Sequence, residues 1–299
     1  MSMKASKKTA LALTRRQLLQ GVPMGLTLGL GLGPLSALAQ EPSAMEKIRA
    51  RGTVKVALYK NNPPYSEGKG SDLTGLDVSL AQALAQRLNL TLALLPFDAG
   101  ENMNDDLRNM VWKGHYLGYG PADVMLHVPV DRYLMNENKQ ALIFNAYCRE
   151  HLVVLHNPQK LLDVHNPEDL EGQHIAVEQG TGAASALMGY RGGLLNGKVS
   201  VYKDGLDAAK AALLGQMDAA YVSRAQAESA LFQVKPATPW ALSNLVLPGV
   251  MPNGWPLGMA VKSDNIELAK QLETALNDLR DSGELVRIFA SHGLTLAAP

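Results

Sequence analysis

Strand-like and helix-like segments alternate along most of this chain, and that order admits few folds. Residues 54–59 (Val-Lys-Val-Ala-Leu-Tyr) form a β run that Pro63 and Pro64 keep from continuing, because proline lacks the N–H that a ladder needs. Residues 77–88 then place Val78, Leu80, Ala81, Leu84, Ala85 and Leu88 at helical spacing. Residues 90–97 return to strand character, 105–112 read as a helix and 122–128 as a third strand. A second series runs through 152–155, 174–177, 183–188, 198–202, 205–214, 218–222 and 223–232, before a strand at 257–262 and helices at 266–281 and 284–292. Repeated βα units predict an α/β protein with mostly parallel sheets covered by helices, in which ligands sit beyond the carboxyl ends of the strands. The last two helices have no strand of their own to cover. They are expected to pack on the first lobe, so that the chain crosses twice between lobes and leaves a cleft.

The first 39 residues read as an export signal. Lys4, Lys7, Lys8, Arg15 and Arg16 make a basic start, residues 18–35 are apolar and glycine-rich, and Ala37-Leu-Ala39 has the small-x-small form of a cleavage site. Thr14-Arg-Arg-Gln-Leu-Leu19 resembles a twin-arginine signal. A Sec signal that contains Arg-Arg is the alternative. Either way the expectation is a periplasmic protein cleaved after Ala39.

Composition is globular, with 46% hydrophobic and 19% charged residues in the whole chain. The 28 Lys and Arg balance the 28 Asp and Glu, and no basic cluster lies beyond the signal, which argues against a nucleic-acid partner. Cys148 is the only cysteine, so no intrachain disulfide can form. It is either a buried small hydrophobe or a reactive thiol. The seven histidines are scattered singly, no metal-ligand set emerges, and no cofactor is expected.

Residues 174–177 run into Gly180-Thr-Gly182 and an alanine-rich segment. A strand, a glycine turn and a helix start would place backbone N–H groups and the Thr181 hydroxyl where an anionic group is stabilised. An ordinary βα connection is the alternative.

Several segments, taken in order, resemble the extracellular solute-binding proteins of family 3. They are Lys47 to Ala57, Pro63-Pro-Tyr65, Thr74-Gly-Leu-Asp-Val-Ser-Leu to Ala85, Leu170-Glu-Gly with Val177-Glu-Gln-Gly-Thr181, and Leu276-Asn-Asp-Leu-Arg-Asp-Ser-Gly-Glu284. The resemblance implies a two-lobed type II periplasmic binding fold, with residues 46–147 and 263–299 as lobe 1 and 148–262 as lobe 2. It also implies a monomer without catalytic residues, which binds a small polar or anionic solute for an ABC permease and closes by a hinge near residues 147–153 and 262–265.

The family's ligand positions fall on Tyr65, an aromatic that stacks on ligands or packs in a loop, on Asp77, which is equally placed to be an N-cap, and on Thr181. Arg132 and Ser223 complete the expected cleft. Two departures count against a zwitterionic α-amino acid. Arg132 lies in Val128-Pro-Val-Asp-Arg-Tyr133 instead of the family's Thr-x-x-Arg, and Asp218-Ala-Ala-Tyr-Val leads to Ser223 where relatives place a carboxylate for the α-ammonium. An unpaired ammonium would cost several kcal/mol in a closed cleft, so an acid, a polyol or another neutral ligand is expected.

An aromatic, glycine-rich stretch, Gly114-His-Tyr-Leu-Gly-Tyr-Gly-Pro121, replaces the short link of transport-type relatives. With Val128-Pro129 and Tyr147 to Val154 it resembles the family's branch associated with quinoprotein dehydrogenases. That resemblance implies an accessory protein for a periplasmic dehydrogenase or cytochrome c, with His115, Tyr116 and Tyr119 at the interface or ligand site. Some members of the fold are periplasmic dehydratases. In an enzyme of that kind Glu178, beside the expected anion site, would be the acid or base.

Overall fold

The computed structural model describes residues 42–69 and 72–299, and the expected export signal lies outside the described residues. Ser43 accepts from the Glu46 N–H while Glu46 accepts from the Ser43 N–H, and this capping box starts α1 (Ala44–Arg51). Gly52, in the left-handed region at φ 66°, ends the helix and turns the chain into β1 (Thr53–Tyr59). Next come α2 (Leu76–Arg87) and β2 (Thr91–Phe97), which runs parallel to β1 from Thr53 opposite Thr91 to Tyr59 opposite Phe97. This is the βαβ unit read from the spacing. The next helix begins earlier than expected, as α3 (Met103–Leu107), because the Asn102 side chain accepts from the Asp105 N–H. It continues as a π-helical turn over Arg108–Trp112.

β3 (Val124–Pro129) lies parallel to β1; α4 (Arg132–Glu137) and β4 (Ala141–Glu150) come next. Only His151 separates β4 from β5 (Leu152–His156), yet β5 belongs to the other sheet. The second sheet is built from β6 (Ile175–Glu178), α5 (Gly182–Gly189), β7 (Val199–Tyr202), α6 (Gly205–Leu213), β8 (Ala219–Ser223), α7 (Arg224–Val234) and β9 (Ala241–Ser243). The chain then returns as β10 (Trp255–Lys262) and ends in α8 (Ile266–Asp281) and α9 (Glu284–Ser291).

Each sheet has five strands, ordered β2-β1-β3-β10-β4 and β7-β6-β8-β5-β9. In both, three parallel strands are extended by an antiparallel one, β10 beside β3 in the first and β5 beside β8 in the second. Both sheets are therefore mixed. The two crossings expected from the sequence are present, after Glu150 and between β9 and β10. α8 and α9 pack on α2, and α8 also meets α1 and β4, so the terminal helices cover the first sheet.

One boundary differs from the expectation. Residues 255–262, expected to close the second lobe, pair with β4 from Trp255 opposite Glu150 to Lys262 opposite Ala141. The second crossing therefore lies before β10, not after Lys262. Burial explains the strand's character: Leu257, Met259, Ala260 and Val261 are all enclosed, so the run is continuously apolar and carries no sign of which sheet it joins. Apolar clusters fill both faces of each sheet. Leu76, Leu80, Leu272 and Leu276 lie under the first and Leu107, Met110 and Met125 over it, with Ile175 and Leu187 on one side of the second and Ala208 and Ala220 on the other.

Candidate functional site

A cavity of about 470 Å³ opens between the two sheets. Asn62, Tyr65 and His127 line it from the first lobe, and Glu178, Thr181, Ser223 and Gln226 from the second. Glu150 and Leu152 close it at one crossing, Met251 and Trp255 at the other. Its position beyond the carboxyl ends of β1, β3, β6 and β8 follows from the parallel arrangement of those strands.

Tyr65 stands where β1 has ended and the prolines have turned the chain. It is buried, and its hydroxyl donates to Oε2 of Glu150, the last residue of β4. Glu150 also receives the N–H of His151 at 2.9 Å. Burial pushes its carboxyl above the usual range, and the polar groups around it, Tyr65 first, pull the other way. Across the cleft Glu178, at the end of β6, accepts from Gln226 Nε2 at 2.8 Å. Burial raises this carboxyl too.

Thr181 caps α5. Its Oγ1 accepts from the Ala184 N–H at 3.1 Å and donates to the Glu178 carbonyl at 2.9 Å, so the hydroxyl expected to face a ligand is engaged within its own turn. Ser223 plays the same part for α7 in a capping box with Gln226. Both residues line the cleft.

Asp77 and Arg132 do not line it. Asp77 is the second residue of α2, whose N-cap is Gly75 with no side-chain cap bond, so the capping alternative fails. Its side chain is only 1% exposed, with Oδ1 accepting from the Tyr147 hydroxyl at 2.8 Å and Oδ2 facing Nδ1 of His127 at 3.0 Å. Arg132 is exposed on the first turn of α4. With Asp131 as N-cap, the chain has turned into helix before the guanidinium can reach inward.

No Lys or Arg side chain lines the cleft among the described residues. Arg149 donates to the Asn253 carbonyl at 3.1 Å, and Arg224 to Glu228 at 2.7 Å. An anionic ligand would meet two glutamates and no cation, which counts against the anion reading of Thr181. A carboxylate does line the cleft together with Ser223: it is that of Glu150, at the end of β4 in the first sheet.

The aromatic loop is a folded turn of the first lobe and does not enter the cavity. The His115 ring stacks on Tyr119 at 4.3 Å and meets Tyr116 at 4.4 Å, while Tyr116 is 88% exposed. Cys148 is buried in the core under β10, and burial pushes its thiol well above the usual range, so the small-hydrophobe alternative describes it.

Sequence reading missed His127, Glu150, Tyr147 and Gln226. His127 sat inside a segment read as an ordinary strand, and Glu150 inside one judged only for the reactivity of Cys148. The signal available at His127 was a polar residue in an otherwise apolar β run, whereas Glu150 stands in the polar Arg149-Glu-His151 and carried no such mark.

Two five-stranded α/β sheets joined by two crossings around a cleft define the type II periplasmic binding fold. Amino-acid solute-binding proteins are among the relatives found by sequence and by structure. The L-cystine-binding protein TcyJ of Escherichia coli (strain K12) is 26% identical over 274 residues, 90% of this chain and 92% of its own length. An ancestral cationic amino acid solute-binding protein matches with a TM-score of 0.64 and 20% identity, over 83% of this chain and 99% of that one. An amino acid ABC transporter substrate-binding protein from Streptococcus pneumoniae, bound to L-arginine, matches with a TM-score of 0.59 and 18% identity, over 86% and 100%. No protein-family model matches the chain. The sequence relative is a binding protein, and the similar structures also include a histidine kinase sensor domain and an amino-acid-binding precursor of cyclohexadienyl dehydratase; the quinoprotein-associated and dehydratase alternatives are not favoured.

Proposed function

We propose that the protein binds a small polar solute in the cleft between its lobes, in the periplasm, and presents it to an ABC permease. The observation that carries this reading is the cavity itself, a largely apolar cleft into which both sheets place polar side chains where the chain crosses between them. Hinge closure about such crossings would enclose a ligand and remove it from water. The similarity to TcyJ over most of both chains supports solute delivery, and the export-type N-terminus supports the location.

The amino-acid class of those relatives suits part of the site. Glu150 and Glu178 can pair an ammonium group, whereas an α-carboxylate finds no guanidinium. The protein acts without catalysis in this reading: each cleft carboxylate is held by fixed donors.

A thermal-shift screen against amino acids, amines, organic acids, sugars and polyols tests the proposal. A ligand at a hundred times its dissociation constant adds about 2.7 kcal/mol, a shift of several degrees. A flat response to every class rejects solute binding.

A further inference from the structure

His127 holds a backbone conformation that a non-glycine side chain rarely adopts, with φ at 62°, in the middle of β3. The ladder between β3 and β10 shifts register beside it, which marks a bulge. Strain of this kind persists only where the surroundings impose it. Here a chain of two hydrogen bonds into the core does so: the Tyr147 hydroxyl donates to Asp77 Oδ1 at 2.8 Å, and Asp77 Oδ2 faces His127 Nδ1 at 3.0 Å. The Tyr65 ring meets the imidazole edge-on at 4.3 Å and fixes its plane.

Asp77 and Tyr147 are both sealed in the core, while His127 lines the cleft. An Asp77 carboxylate can only accept, so Nδ1 is the donor of this pair, and whenever the ring carries a single proton Nε2 keeps its lone pair. The first lobe thus presents a positioned acceptor to the cavity, and the second presents the Glu178 carboxylate.

We propose that the cleft selects an organic cation without a carboxylate, an amine held between His127 Nε2 and Glu178, with Asp77 and Tyr147 as positioning residues. The inference rests on the solute-binding reading above and narrows its ligand class. It derives from the acceptors that converge on the cleft and from the absence of a lining Lys or Arg among the described residues. An amino acid would bring the same ammonium, and also a carboxylate facing Glu150 and Glu178.

The test uses two pairs of probes that differ in the carboxylate alone: agmatine against L-arginine, and cystamine against L-cystine. Calorimetric titration of the purified protein should show at least one amine bound tenfold or more tightly than its parent amino acid. His127→Gly, which suits the left-handed backbone but leaves Asp77 Oδ2 without its partner, should melt at a lower temperature yet stay folded at the titration temperature and weaken that amine at least tenfold, as should Glu178→Gln. Asp77→Asn should weaken it as well and move the ¹⁵N shifts of the His127 ring away from a single Nδ1–H tautomer, a change that a merely structural role would not produce. Amino acids bound as tightly as their amines overturn the inference, as does full affinity in His127→Gly. If no probe binds but the thermal-shift screen finds an acid or a sugar, the inference falls and solute binding stands. If nothing in either set binds, both fall.

Discussion

The Tyr65 hydroxyl and the Glu150 carboxylate meet across 85 positions of sequence, one from the loop after β1 and the other from the residue before the crossing into the second lobe. The bond ties the cleft wall to the crossing between the two sheets. Tyr65→Phe leaves an oxygen of a buried carboxylate without its donor, and the expected cost is about 1–3 kcal/mol of stability. Urea denaturation of the wild type and the variant measures it. An unchanged midpoint with an unchanged slope would show that the remaining donor, the His151 N–H, suffices.

Thr181 is a structural cap whose hydroxyl serves both neighbours in its own chain. Thr181→Val should cost about 1 kcal/mol of stability, and Thr181→Ser should restore most of it, because the serine hydroxyl can make the same two bonds. Denaturation midpoints of the three proteins decide the matter. A valine variant as stable as the wild type removes the capping role.

Much of the fold was legible in the sequence because the periodicities are local. Leu80, Leu84 and their neighbours announce α2, and Asn61 to Pro64 announce the end of β1. The site was legible only where its residues sit at element ends, as Tyr65, Thr181 and Ser223 do. Glu150 was hidden because its meaning depends on Tyr65 and Ser223, which reach it only after two sheets have formed. His127 was hidden for a different reason. Its ring faces the cleft through a left-handed bulge, and nothing in Val124 to Pro129 marks where a strand departs from regular pleating. Asp77 was placed at the right end of the right helix and assigned the wrong partner, because a first-turn aspartate signals a cap far more often than a buried network.

Gly75 supports the loop that carries Tyr65. Its φ is 129°, and a Cβ there would press on the carbonyls of Pro64 and Tyr65, which already accept the N–H groups of Leu76 and Asp77 at 3.1 and 2.8 Å. Gly75→Ala must displace that loop or the start of α2 and should cost about 1–3 kcal/mol. A melting temperature within one degree of the wild type would contradict this packing.

His156 predicts how stability responds to acid. Its neutral ring donates from Nδ1 to the Leu161 carbonyl and accepts at Nε2 from the Ser243 hydroxyl, both at 2.8 Å, and burial lowers its pKa. Protonation would add a second donor where an acceptor is needed. Because the folded value lies below the unfolded one of about 6.5, the unfolded chain binds more protons, and stability is lost as pH falls through that region. His151 and His292 are lowered by burial in the same direction. Glu150 and Glu178, raised above 4.5, act oppositely nearer that pH, so the histidine contribution is best isolated by difference. Wild type minus His156→Asn, measured as denaturation free energy, should be largest at pH 7.5 and shrink at pH 5.5. A difference that stays constant across that interval would show that His156 does not titrate differently in the two states.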